Sequence, residues 1–273
     1  MIDAWIEMFS YRVMVRAGVV GLLVSLCAAL LGVCLVLKRY SMIGDGLSHV
    51  GFGALAVASA LGLAPMTVAV PVVVVAAFLL LRLSGRGKLK GDAMIAMIST
   101  AALAVGVIAL SLSSGTTGDV NNYLFGSVLA MSESDLKLSV VLAAVVLSLF
   151  AIFYRKIFSV TFDETFARAT GEKVERYNAL LAFLTAITVV LGMRVMGAML
   201  ISSLIVFPGL TAMRVFKSFR KVLLCALAVS VVCFFAGLCA SFALSIPTGA
   251  SVVAANAAAF LLFSLAGRLR RGK

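Results

Sequence analysis

Charge is scarce in this chain, and its scarcity excludes most soluble architectures. Of 273 residues, only 12% are Asp, Glu, Lys or Arg, about half the share of an ordinary soluble domain. The single histidine, His49, rules out an HExxH metalloprotease helix, and no serine- or aspartyl-protease pattern is present. Five cysteines, Cys27, Cys34, Cys225, Cys233 and Cys239, all lie inside apolar runs without CxxC or zinc-ligand spacing, which leaves them as small packing residues. No stretch between the apolar runs is long enough to fold as a soluble catalytic domain. The segment from Gly267 to Lys273 fits GxxxxGK by spelling, yet no strand precedes it and no helix follows, so it lacks the geometry that cradles a nucleotide phosphate.

Hydrophobic residues make up 63% of the sequence. They gather in runs close to the roughly 20 residues needed to cross a bilayer as a helix. The pattern predicts an all-α, polytopic integral membrane protein forming a single transmembrane domain over 1–273, with eight to nine transmembrane helices. The spans fall at roughly 18–37, 47–63, 66–81, 93–112, 138–153, 178–193, 196–212, 222–245 and 250–267. Segment 113–135 reads either as a surface loop with a short helix or as a re-entrant element. In the second case its backbone would have to be buried in protein or line a cavity.

The charge balance, 23 Lys and Arg against 11 Asp and Glu, would suit nucleic-acid binding if it were spread over a soluble surface. Here, 19 of the 23 cations fall at 38–39, 82–90, 155–176, 214–221 and 268–273, all on one side of the predicted bilayer. With the acidic residues included, that side carries +14 and the opposite side −1. The positive-inside rule makes the first side the cytoplasm, with the N-terminus outside and the C-terminus inside. Residues 1–12 are too polar to span and read as an interfacial lead-in. They lack the basic start of a cleaved signal peptide.

Three segments could carry chemistry. In KRYSMIGDGLSHVGFG, 38–53, Asp45 and His49 are four residues apart and share one helix face. A carboxylate and an imidazole within a membrane span mark an ion path by default, and together they are half of a first-row metal site suited to Zn²⁺ or Mn²⁺. The plainer alternative is an Asp–His hydrogen bond that satisfies both groups. Two copies across a twofold axis would bring together two Asp and two His. In FDETFARATGEKVERYN, 162–178, Phe162 and Phe166 stand at i,i+4, Asp163 is a candidate N-cap and Gly171 a candidate helix end. This segment is either a docking helix or an ordinary connector. In MRVMGAMLISSLIVFPGLTAMR, 193–214, small residues and a helix-disturbing Pro208 fit a conduit lining or tight helix packing.

The blocks LVLKRYSMIGDGLSHVGFGALA, YLFGSVLAMSESDL, FDETFARATG, MGAMLISSLIVFPGLTA and IPTGASVV, in this order across the chain, resemble the permease subunit of ABC importers for divalent metals. That family includes ZnuB-type zinc permeases and related manganese permeases. The resemblance implies an ABC type II-like metal importer permease in the bacterial cytoplasmic (inner) membrane. It maps the metal site onto Asp45 and His49; Ser41, Ser48, Ser202, Ser203 and Pro208 are the sequence's own candidates for pathway lining. It maps an ATPase-coupling helix onto Phe162, Asp163, Glu164, Phe166, Ala167 and Gly171. The chain would not itself be an enzyme and would hold no permanent cofactor. ATP would be hydrolysed by a cytoplasmic ABC ATPase subunit, a second permease copy would complete a homodimer or heterodimer, and an extracytoplasmic metal-binding protein would deliver the ion. Zn²⁺ is favoured over Mn²⁺, with iron behind. From another class, the rival is a self-sufficient ion-coupled secondary transporter in which Asp45 carries protons. Pro208-Gly209-Leu210 departs from the Pro-Ala-Ala common in that family.

Overall fold

A backbone in hydrocarbon finds no water to bond and must close its N–H groups on its own carbonyls. Among the described residues each of the nine apolar runs accordingly overlaps a helix, the run at 196–212 chiefly from Ile201 onward. The structure is a computed structural model and describes residues 10–86, 91–113, 126, 133–198 and 201–271. Among these residues the helices are α1 Arg12–Leu37, α2 Met42–Ala60, α3 Pro65–Arg86, α4 Gly91–Leu112, α5 Glu133–Ile152, α6 Tyr154–Phe162, α7 Glu164–Ala169, α8 Val174–Met196, α9 Ile201–Val215, α10 Phe219–Leu244 and α11 Thr248–Arg271. No strand occurs among the described residues.

Five helices, α1, α4, α8, α10 and α11, are long and apolar enough to cross a membrane unaided. The pair α5 and α6, bent by 71° at the join, makes a sixth if counted as one span. Shorter apolar stretches form α3 and α9, while α2 is a continuous helix whose apolar sequence carries Asp45, Ser48 and His49. Most of 113–135, including the proposed re-entrant element, lies outside the described residues.

Burial separates centre from rim. The most apolar windows of α1 and α8 are 67% buried, against 17% for α4 and 22% for α11, so α1 and α8 form the middle and α4 and α11 flank it. In the centre the helix backbones touch through glycine. A Cβ on Gly32 would lie 1.9 Å from the Ile205 carbonyl oxygen of α9, and one on Gly53 would lie 2.5 Å from the Ala102 carbonyl oxygen of α4. Neither backbone oxygen can swing aside, which is why only glycine fits.

Three helix ends use the same hydrogen-bond pattern. At the end of α2, the Gly62 and Leu63 amides donate to the Ser59 and Ala58 carbonyls; after α7, the Gly171 and Glu172 amides donate to the Arg168 and Ala167 carbonyls. Both are Schellman caps with glycine in the left-handed region, at φ +66° and +84°. The third closes α1: the Arg39 and Tyr40 amides donate to the Val36 and Leu35 carbonyls, and Arg39 takes φ 60°. An arginine is held there in a conformation that L-residues avoid by about 1–2 kcal/mol.

Pro208 lies inside α9 without ending it. The 162–178 segment is a tighter construction than a single helix. The chain is extended at Asp163, φ −150° and ψ 103°, so Phe162 closes α6 and Phe166 belongs to α7. The expected i,i+4 helical face joining the two phenylalanines is therefore broken between them.

Candidate functional site

Asp45 occupies the first turn of α2, where the positive end of the helix dipole favours a carboxylate. One turn later His49 Nε2 lies 3.6 Å from Asp45 Oδ2, too far for a good hydrogen bond. The imidazole Nδ1 is buried without a hydrogen-bond partner. The Asp45 side chain is 37% exposed and that of His49 18%.

The glycines of α2 show where this face points. Gly44 abuts Ile205 of α9, while Gly46 and Gly53 abut Ile95 and Ala102 of α4. At 100° per residue, Asp45 and His49 fall between those two contacts, in a gap open at the protomer surface. Ser48, fully buried, donates its hydroxyl to the Asp45 carbonyl at 2.7 Å. Ser41 precedes α2 without capping it through its side chain. Ser202 and Ser203 lie half-buried at the start of α9, with Pro208 buried further along.

Among the described residues, no three His, Cys, Asp or Glu side chains gather into a metal set. The chain thus places a carboxylate oxygen and an imidazole nitrogen side by side. A further cavity lies elsewhere. It has about 500 Å³ at the α9–α10 connector, where Arg214, Lys217 and Lys221 face it and neither Asp45 nor His49 takes part.

The second constellation surrounds α7. Asp163 accepts hydrogen bonds from the Thr165 and Phe166 amides, each at 2.9 Å, the N-cap expected from the sequence. These bonds, led by the Thr165 hydroxyl, hold the Asp163 carboxyl below its ordinary pKa. Phe162 is 70% exposed and Phe166 63%. Ala167 is fully buried, packed in a small cluster with Val160 and Val174, and Gly171 supplies the left-handed cap already described. Arg168 pairs with Glu175 at 2.7 Å, and Lys156 with Glu172.

Glu164 turns away from the exposed aromatics. Its carboxylate accepts from Lys38 Nζ and, at 3.1 Å, from Asn178 Nδ2. Partial burial pushes its pKa up, but the hydrogen bonds from Lys38 and Asn178 and the nearby positive charge outweigh that and leave it lowered. Lys38 also donates to the Val160 carbonyl at 3.0 Å, and its side chain is only 4% exposed. Sequence reasoning placed Lys38 among the orienting surface cations; its role as a buried ion-pair partner was missed. The partner lies 126 positions away, and the sole hint was a lysine directly ahead of the richest polar motif.

The ABC 3 transport family matches residues 10–267. The chain is 31% identical over 262 residues to a probable iron transport system membrane protein of Haemophilus influenzae, covering 96% of this chain and 93% of that one. It is 29% identical over 252 residues to the high-affinity zinc uptake system membrane protein ZnuB of the same organism, covering 92% and 97%. Over 256 residues it is 28% identical to the manganese transport system membrane protein MntC of Halalkalibacterium halodurans, covering 94% and 88%. Among solved structures, PsaBC from Streptococcus pneumoniae in complex with Fab superposes with a TM-score of 0.87 at 26% identity, covering 96% and 95%. With its apolar helices and a match across nearly its whole length, this chain belongs to the ABC 3 transport family, as a membrane permease and not an enzyme.

Proposed function

We propose that the chain is the permease of an ATP-driven importer that carries a divalent metal ion, zinc first, across the bacterial cytoplasmic membrane into the cell. The observation that carries this reading is the Asp45–His49 pair: 3.6 Å apart, with the imidazole Nδ1 unpartnered, on a face open between α9 and α4. A structural hydrogen bond would close that distance; a site awaiting a cation leaves it open. Two copies facing each other would offer two oxygens and two nitrogens, the tetrahedral N/O set Zn²⁺ accepts, with two carboxylates balancing its charge. Manganese is the second reading, favoured by relatives named for its transport. The chemistry argues against it, because an N/O site binds Zn²⁺ more tightly than Mn²⁺. Selection of Mn²⁺ would then rest with an extracytoplasmic binding protein.

In this reading the helices over the nine apolar runs supply eight to nine spans, and the C-terminus is cytoplasmic. The exposed Phe162, at the end of α6, and Phe166, within α7, dock into a cytoplasmic ABC ATPase, whose nucleotide cycle turns the site from one side of the membrane to the other. Ser41, Ser48, Ser202, Ser203 and Pro208 line the route. The decisive measurement is uptake of Zn²⁺ and Mn²⁺ by the full complex reconstituted with its ATPase. Asp45→Ala and His49→Ala should each abolish uptake at limiting metal while the complex stays assembled. Normal uptake in both variants would overturn the site, and uptake by the permease alone under an ion gradient would favour the secondary transporter.

A further inference from the structure

Lys38 stands where three helices meet. It is the C-cap of α1, and its ammonium reaches across to both sides of the break at Asp163. On one side it donates to the Val160 carbonyl at 3.0 Å. That oxygen lies in the last turn of α6, where carbonyls lack helical partners and the dipole is negative. On the other side it pairs with Glu164, which sits in the first turn of α7 and is braced from α8 by Asn178. The lysine therefore spans the α6–α7 elbow from outside it.

The same residue begins the corner that leads to Asp45. The Arg39 and Tyr40 amides close the Schellman cap of α1, and the Ile43 amide donates to the Tyr40 carbonyl at 3.0 Å, which fixes the first turn of α2 against that corner. Asp45 follows in that first turn, and His49 one turn later. Tyr40 lies close enough to Glu164 that its phenol pKa is raised, by burial and then by that carboxylate's charge. From Glu164 to Asp45 the connection runs through an ion pair, a hydrogen-bonded corner and the first turn of α2.

A charged pair at 4% exposure of its lysine is a costly way to hold helices together, since an apolar side chain of similar volume often serves as well or better. What the pair adds is a directional tie between the elbow and α1.

We propose that Lys38 is the positioning residue that carries movement of the coupling elbow to the metal-binding helix, so that ATP turnover and opening of the Asp45–His49 face occur together. This rests on reading α7 and its flanking phenylalanines as the ATPase-docking element. The test is the reconstituted complex, scored for ATPase subunit retained, ATP hydrolysed and Zn²⁺ transported per ATP. Lys38→Met keeps the length and apolar stem and removes the charge. It should retain the ATPase subunit and hydrolyse ATP within twofold of wild type, while Zn²⁺ moved per ATP falls at least tenfold. Lys38→Arg, which keeps the charge, should recover a substantial part of that ratio. If Lys38→Met does not assemble, Lys38→Gln, still able to donate to the Val160 carbonyl, should show the same uncoupling. Unchanged transport per ATP, or transport and hydrolysis falling in proportion, overturns the proposal. Phe166→Asp tests the underlying reading separately: if it leaves the ATPase subunit fully bound, α7 is not the docking element. If it releases the subunit while Lys38→Met couples normally, only the role of Lys38 falls.

Discussion

Lys38 and Asp45 are seven positions apart in sequence, and their surroundings treat polar groups in opposite ways. Around Lys38, the ammonium has two acceptors and the Glu164 carboxylate two donors. At Asp45 the carboxylate and the His49 imidazole stand 3.6 Å apart, and the imidazole keeps one nitrogen buried and unpaired. A set whose bonds are complete holds a shape. A pair left incomplete, in a protein that could have completed it, is stabilised only when something else arrives, and the unpaired group costs stability until then.

The contrast is tested most severely at His49. His49→Ala should lower metal uptake by at least the roughly 100-fold that loss of even an outer-shell partner can cost a metal site, yet leave the melting temperature of the metal-free permease unchanged or higher. A drop of several degrees would make the pair structural and remove the contrast. Phe166→Asp should weaken retention of the ATPase subunit about tenfold or more, as loss of a large exposed aromatic anchor does; pull-down of the subunit measures it. Asp163→Ala removes the α7 cap and should be seen as faster hydrogen exchange at the Thr165 and Phe166 amides. Acid should loosen the completed cluster: the Glu164 carboxyl is lowered in the folded protein, so its stabilisation is present above the ordinary carboxylate range and lost as pH falls through the lowered value. Thermal melts should show that loss only below about pH 4, and Lys38→Met should flatten it. The smallest effect is expected at Arg39. Arg39→Gly relieves the left-handed strain but frees the unfolded chain, for a net gain of about 0.5 kcal/mol in the same melts.

Much of this architecture was legible in the sequence, because lipid leaves the backbone one inexpensive solution and apolar run length reports it directly. Each of the nine runs overlaps a helix among the described residues, five of them long and apolar enough to cross a membrane unaided, and the Asp163 cap and Gly171 terminus appear where their residue types suggested. What the sequence concealed depends on distance or on compensation. The Lys38–Glu164 pair joins positions 126 apart, and nothing local distinguishes that lysine from its neighbours. The elbow at Asp163 broke an i,i+4 pattern that looked continuous, because an N-cap side chain can restart a helix immediately after an extended residue. The 71° bend between α5 and α6 has neither proline nor glycine to announce it. Asp45 and His49 were singled out by their i,i+4 spacing, their rarity within a span and the family resemblance; only the structure showed the pair poorly bonded and facing the gap between α9 and α4.

That bend has a mechanical meaning. If α5 stands along the membrane normal, α6 at 71° to it lies nearly flat, as an arm of nine residues and about 13 Å at 1.5 Å per residue. A displacement of roughly 1 Å at its Phe162 end would swing such an arm by about 4°. The arm would convert a push perpendicular to the membrane into a torque on α5, and Lys38 holds the end at which that push would be applied.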